Sequence, residues 1–182
     1  HFGLEAGKKT LLILGGSLGA RTLNQCMQAG YARLLEAGFQ VIWSTGKFYH
    51  SAVQQAMSGV EAQGLCIREF IAKMDYAYAA ADVVVSRAGA LSVSELCLAA
   101  KPSILVPSPN VAEDHQTQNA MALVNQRAAW MVKDSNAANE LITKAIELLS
   151  DEKIQTELST NIYRFARPNA AKTIAAEVLA LA

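Results

Sequence analysis

The chain has 182 residues, 52% of them hydrophobic, which suits one domain with a sizeable core. Lys plus Arg and Asp plus Glu balance at 16 each, so no bulk field favours nucleic acid or anionic lipid, and specificity has to come from a local site. No apolar run reaches the roughly 18 residues that span a bilayer, and Cys26, Cys66 and Cys97, without C-x-x-C spacing, read as reduced core thiols of a cytosolic protein.

The opening HFGLEAGKK (1–9) has no signal-peptide core and reads as a linker remnant, so the domain is expected to run over 10–182. TLLIL (10–14) reads as a buried strand. A helix over 20–37 follows, with Leu23, Met27, Gly30 and Leu34 on one face and Gly38 as its stop. QVIWS (40–44) is a second strand, FYHSAVQQAM a second helix, GLCIREF holds a third strand, and 74–81 is a short helix. DVVVS (82–86) leads to a helix over 92–100, SILVP (103–107) to a helix over 114–126, and AAWMV (128–132) is the sixth strand; the rest is helical. Six strands of near-continuous Val, Ile and Leu, each feeding a helix, imply a parallel sheet covered on both faces. The expected fold is a doubly wound, six-stranded, Rossmann-like α/β domain. Its ligand should sit outside the carboxyl ends of the strands, near the switch in strand order.

Three of the loops at that edge could carry chemistry. Gly15-Gly16-Ser17-Leu18-Gly19 fits G-x-S-x-G, the elbow of a serine hydrolase with Ser17 as nucleophile. That reading lacks a well-placed acid, since the only one near His115 is the adjacent Asp114. A dinucleotide fingerprint would want glycine at Ser17 and an acid after the second strand, where WSTGK has none. A glycine turn opening a helix remains, where free N–H groups favour an anion and Arg21 adds a cation with planar donors. The bland alternative is a plain tight turn with Arg21 solvated.

In SRAGALSVSE (86–95), Gly89 allows close approach of a ligand. Ser92 to Glu95 spells S-x-x-E, a capping box, or else Glu95 accepts from a vicinal diol. In PSPNVAEDHQTQNA (107–120), Asn110, Gln116, Gln118 and Asn119 offer amides suited to sugar hydroxyls. The alternative there is a solvated helix start capped by Asp114. No D-x-D pair is present to hold a divalent metal beside a diphosphate. Helix N-termini and Arg21 would supply the positive charge, and metal-independent binding without a cofactor is expected.

GGSLGAR, FI-x-x-M (Phe70, Ile71, Met74), ADVVVSRAGALSVSE, KPSILVP and DHQTQNA, in this order, resemble the carboxyl-terminal half of the MurG family. Those bacterial enzymes transfer N-acetylglucosamine (GlcNAc) from its UDP donor to lipid I, giving lipid II for peptidoglycan. The resemblance covers Thr10 to the end and implies the carboxyl-terminal half of a GT-B fold, which holds UDP-GlcNAc. It implies an absent amino-terminal domain for the lipid acceptor and the membrane, at the inner face of the bacterial cell membrane. It places Arg21 and Thr45 beside the nucleotide and the backbone of Ile71 at the uracil edge. The amides of Ala90, Leu91 and Ser92 fall at the diphosphate, Glu95 at the ribose, and Gln116 at the sugar. Gly16, Ser17, His115 and Asn119 are further candidates around them. The base that activates the acceptor hydroxyl is expected in the absent domain, so this chain should bind its donor weakly without turnover. Other readings are a related GT-B glycolipid synthase, a UDP-GlcNAc 2-epimerase with Glu113 and Asp114 facing the sugar, and the free-standing donor subunit of a two-subunit GlcNAc transferase.

Overall fold

The computed structural model describes residues 1–60 and 62–181. Six parallel strands, β1 (Thr10–Leu14), β2 (Gln40–Ser44), β3 (Leu65–Arg68), β4 (Val83–Ser86), β5 (Ser103–Leu105) and β6 (Trp130–Met131), form one sheet in the order β3-β2-β1-β4-β5-β6. The chain winds outward from β1 to β3, then returns to place β4 on the other side of β1. The loops after β1 and β4 therefore diverge and leave a crevice at their carboxyl ends.

Both faces of the sheet are covered, which is why its strands are apolar throughout rather than alternating. Leu11, Ile13, Val41, Trp43, Val83 and Val85 pack on one side with α1 (Arg21–Glu36) and α6 (Ala137–Ser150). Leu12, Ile42, Val84 and Leu105 pack on the other with α3 (Met74–Ala80), α4 (Ala90–Leu98) and α5 (His115–Val124). Each such side chain, fully buried, contributes about 1.5–3 kcal/mol. The helices α2 (His50–Ala56), α7 (Glu152–Tyr163) and α8 (Ala170–Ala180) complete the chain. Helix α1 buries the expected Leu23, Met27, Gly30 and Leu34, and stops at Gly38. There Gly38 adopts φ +86°, its N–H donates to Leu35 O, and Phe39 N–H donates to Leu34 O, closing the last turn.

Two boundaries differ from the sequence reading in ways that matter. Helix α4 begins at Ala90, two residues early, because Gly89 in an extended conformation takes the N-cap position. Ser92 thus lies within the first turn, and the capping box expected over Ser92–Glu95 is not formed. Residues 1–9 also lie on the domain rather than hanging from it. The Gln40 side chain accepts from Glu5 N–H at 2.7 Å and donates to Glu5 O and Lys8 O, while Phe2 and Leu4 pack against the second core face.

One buried polar relay prepares the site. Trp43 Nε1–H donates to Asn24 Oδ1 at 2.8 Å, and Asn24 Nδ2–H donates to Thr45 O at 2.9 Å. The relay ties the end of β2 to α1 from beneath. Among the described residues no helix is long and apolar enough to cross a membrane. Helix α8 buries none of its residues and leaves Ile174, Val178 and Leu179 exposed.

Candidate functional site

A cleft of about 490 Å³ opens at the switch point, lined by Gly15 to Thr22, Arg87, Gly89, Ser92, Ser108 to Asn110, Gln116 and Asp134. Its first wall is the β1–α1 loop, where Gly19 N–H donates to Gly16 O and both glycines hold positive φ. That loop is laced to the one after β2: Lys47 N–H donates to Ser17 O, and Phe48 N–H to Leu18 O. At the crossing a Cβ on Gly46 would lie 2.1 Å from Gly19 N, and one on Gly19 would lie 2.2 Å from Thr45 O. Only two glycines allow backbones this close. Six residues separate the end of β1 at Leu14 from the start of α1 at Arg21. The sharp strand-to-helix elbow that presents a nucleophilic serine is therefore absent at Ser17.

The second wall is the start of α4. Neither α1, with N-cap Ala20, nor α4, with N-cap Gly89, receives a side-chain cap. Both helices therefore turn uncapped N–H groups toward the cleft. Gly89 and Ser92 line the cleft, and Gly89 has no atom within 4 Å of where a Cβ would lie, so the space beside the start of α4 is open. Arg21 lines the same cleft as the first residue of α1.

The floor is made by residues the sequence reading did not single out. Arg87 Nη1 donates to Val106 O at 3.0 Å, to Pro107 O at 3.2 Å and to Asp134 Oδ1. Asp134 Oδ2 accepts from Thr22 Oγ1 at 3.0 Å. The ion pair is mostly buried, with side chains 13% and 19% exposed, and it joins the ends of β4, β5 and β6 to α1. An arginine directly after the apolar VVVS strand was the one available signal, since a charge at that depth needs a partner.

The third wall comes from α5. Gln116 Oε1 accepts from Ala88 N–H at 3.2 Å and from Ser108 N–H at 3.0 Å, which fixes its amide orientation and leaves the NH2 end for a ligand. Asn119 Nδ2–H donates to Ala88 O at 3.0 Å. These two side chains clamp the β4–α4 loop, so two of the four expected amides have a structural task. Asp114 occupies the N-cap position of α5 in a left-handed conformation, but its carboxylate accepts from Thr117 Oγ1 instead of capping a backbone amide. His115 is the exposed first residue of α5.

The remaining expected residues surround this cleft rather than line it. Glu95, one helical turn beyond Leu91, accepts from the Tyr78 hydroxyl at 2.9 Å, in a second cleft between α3 and α4. Ile71 buries its side chain in the second core face and leaves its backbone in the loop before α3. Thr45 is fully buried; its hydroxyl meets Arg68 O at 3.2 Å and His50 Nδ1 at 3.0 Å, so it shapes the loop from inside. The cysteines are free and buried, and burial pushes all three thiols up from their usual pKa. Among the described residues no three His, Cys, Asp or Glu side chains cluster to hold a metal.

Two uncapped helix starts at the switch point of a 3-2-1-4-5-6 sheet define a Rossmann-like domain, with the geometry that in such sheets suits an anion. Comparison with known proteins narrows this: residues 10–174 match the glycosyltransferase family 28 C-terminal domain, and the chain belongs to that family. It is 54% identical over 177 residues to a Cytophaga hutchinsonii protein named UDP-N-acetylglucosamine–N-acetylmuramyl-(pentapeptide) pyrophosphoryl-undecaprenol N-acetylglucosamine transferase, covering 97% of this chain and 47% of that one. A Bacteroides fragilis protein of the same name is 54% identical over 183 residues, covering 100% of this chain and 48% of that one. The crystal structure of Acinetobacter baumannii MurG matches with a TM-score of 0.76 at 32% identity, over 93% of this chain and 49% of that chain. The architecture is thus that of the carboxyl-terminal half of a GT-B glycosyltransferase. The chain spans about half the length of the curated relatives it matches.

Proposed function

We propose that this chain is the donor half of an inverting N-acetylglucosamine transferase that converts lipid I to lipid II, and that it seats UDP-GlcNAc at the cleft between α1 and α4. The observation that carries this reading is the convergence of two uncapped helix starts and Arg21 on one cleft. Each helix start is equivalent to about half a positive charge. With Arg21 the cleft presents about two, matching the two negative charges of a diphosphate diester. Asp134, the one acid in that lining, is balanced by Arg87.

In this reading Ala90, Leu91 and Ser92 donate N–H groups to the diphosphate, opposite Arg21 and the Gly16–Ser17 turn. Ile71 offers backbone groups to the uracil, and Glu95 takes the ribose hydroxyls. Thr45 acts on the nucleotide through the loop it anchors. Gln116 donates its NH2 to the sugar, with His115 and Asn119 alongside. The same donors stabilise the charge that grows on UDP as it leaves. Inversion needs a base on the far side of the anomeric carbon, and a second, acceptor-binding domain supplies it, together with the lipid and membrane contacts, at the inner face of the membrane. Leu18, Phe48 and Phe70 on the loops around the cleft and Leu91 in the first turn of α4, 54%, 69%, 63% and 82% exposed, are the surface that such a domain would cover.

Calorimetry with UDP, UDP-GlcNAc and NADH, with and without magnesium, tests the donor site. The uridine ligands should bind at least about tenfold more tightly than NADH, with little effect of the metal. Binding of NADH in preference to both would overturn the reading.

A further inference from the structure

Tyr78 lies on α3 with its ring in the core cluster of Leu12, Ile42 and Leu96, only 8% exposed. Its hydroxyl reaches out of that core and donates to Glu95 Oε2 at 2.9 Å. Glu95 itself is exposed on the flank of α4, where a glutamate otherwise samples many rotamers. A buried aromatic ring is a rigid strut by comparison, because packing fixes both of its torsions. Burial, and then the bond to Glu95, push the tyrosine pKa well above its ordinary value, so the hydroxyl remains a donor through the neutral range.

The geometry points to Tyr78 as a positioning residue that holds the Glu95 carboxylate ready for the ribose diol of the bound nucleotide. The inference rests on the donor-site reading above. Glu95 follows Leu91 by four residues and Ser92 by three, so it lies on their flank of α4, about 5.4 Å further along the axis. A diphosphate held at the first turn therefore sets its ribose near this carboxylate. An ionised carboxylate has roughly four acceptor sites; Tyr78 uses one on Oε2, and Oε1 stays open for the paired hydroxyls. The cleft beside it, about 580 Å³, is lined by Met74, Tyr78, Glu95 and Leu98 among others, and gives the sugar room to enter.

A purely structural role is the competing account, in which Glu95 serves only to satisfy a buried hydroxyl. Titrating the chain, Tyr78→Phe and Glu95→Gln with UDP and with 2′-deoxy-UDP separates the two, with thermal melts as a control on folding. The native chain should prefer UDP over 2′-deoxy-UDP by about tenfold, the worth of one hydroxyl-to-carboxylate bond. Tyr78→Phe should lower UDP affinity by roughly three- to tenfold and shrink that preference to below about threefold, as Glu95→Gln does. A Tyr78→Phe protein that keeps the full tenfold preference overturns the positioning role, whatever its melting temperature. A native chain that binds UDP without preferring it to the deoxy form also overturns it, while leaving the donor site standing. A native chain that binds neither nucleotide removes the donor site and this inference with it.

Discussion

Arg87→Met is expected to destabilise the fold by about 3 kcal/mol and to weaken UDP binding about thirtyfold. The stability loss follows from what is stranded. Val106 O, Pro107 O and the Asp134 carboxylate all accept from Arg87 Nη1, and removing one partner of a mostly buried ion pair leaves the other charge uncompensated. The value sits at the low end for such pairs because Asp134 keeps its bond from Thr22 and some contact with water. The binding loss has a separate cause: an unbalanced carboxylate in the cleft lining repels a diphosphate by something on the order of 2 kcal/mol at an intermediate effective dielectric. Asp134→Asn gives the contrast. It also destabilises, by about 1–3 kcal/mol, but it releases the positive charge of Arg87 and should leave UDP binding unchanged or tighter. Chemical denaturation and calorimetry on both variants check this. Weakening of UDP binding by both substitutions in equal measure would show that the pair does not act through charge.

Gly46→Ala should cost about 4 kcal/mol or more and remove the site. The new Cβ would lie 2.1 Å from Gly19 N and 2.6 Å from Leu18 C, at a φ of +78° that alanine rarely adopts. Backbone is on both sides of the clash, so no flexible side chain can move aside. Gly16→Ala is the matched control. It has a similar φ of +84° but no atom within 4 Å, and only the left-handed penalty of about 1–2 kcal/mol applies. Urea unfolding midpoints measure the difference. Equal losses at the two positions would mean that the crossing of the β1 and β2 loops is not the rigid feature described.

The fold was readable because its information is local. Runs such as LLIL and VVVS, separated by segments of helical period and punctuated by Gly38, determine strands, helices and their alternation without knowledge of any distant contact. The three loops that line or border the site could be found for the same reason: in a doubly wound sheet they follow strands by construction. What local pattern could not reveal were the long-range polar bonds. Arg87 finds Asp134 across 47 residues, and Asn24 finds Thr45 across 21, with no periodicity that encodes either pairing. The S-x-x-E at Ser92 misled because it imitates a capping box, whereas Gly89 had already started the helix and Tyr78 claimed the glutamate. Gln116 and Asn119 have the chemistry to meet a sugar, and part of that chemistry is spent on clamping the neighbouring loop.

The central claim, that a diphosphate is held by the facing starts of α1 and α4, is tested most directly by backbone amide chemical shifts of the labelled chain titrated with UDP. The account predicts that the largest shifts fall on Gly16 to Arg21 and on Ala90 to Ser92, saturating together with the calorimetric isotherm. A separate cleft beside β6 is lined by Arg127, Trp130 and Lys144; saturable UDP binding that leaves Ala90 to Ser92 unmoved and concentrates its shifts there would contradict it.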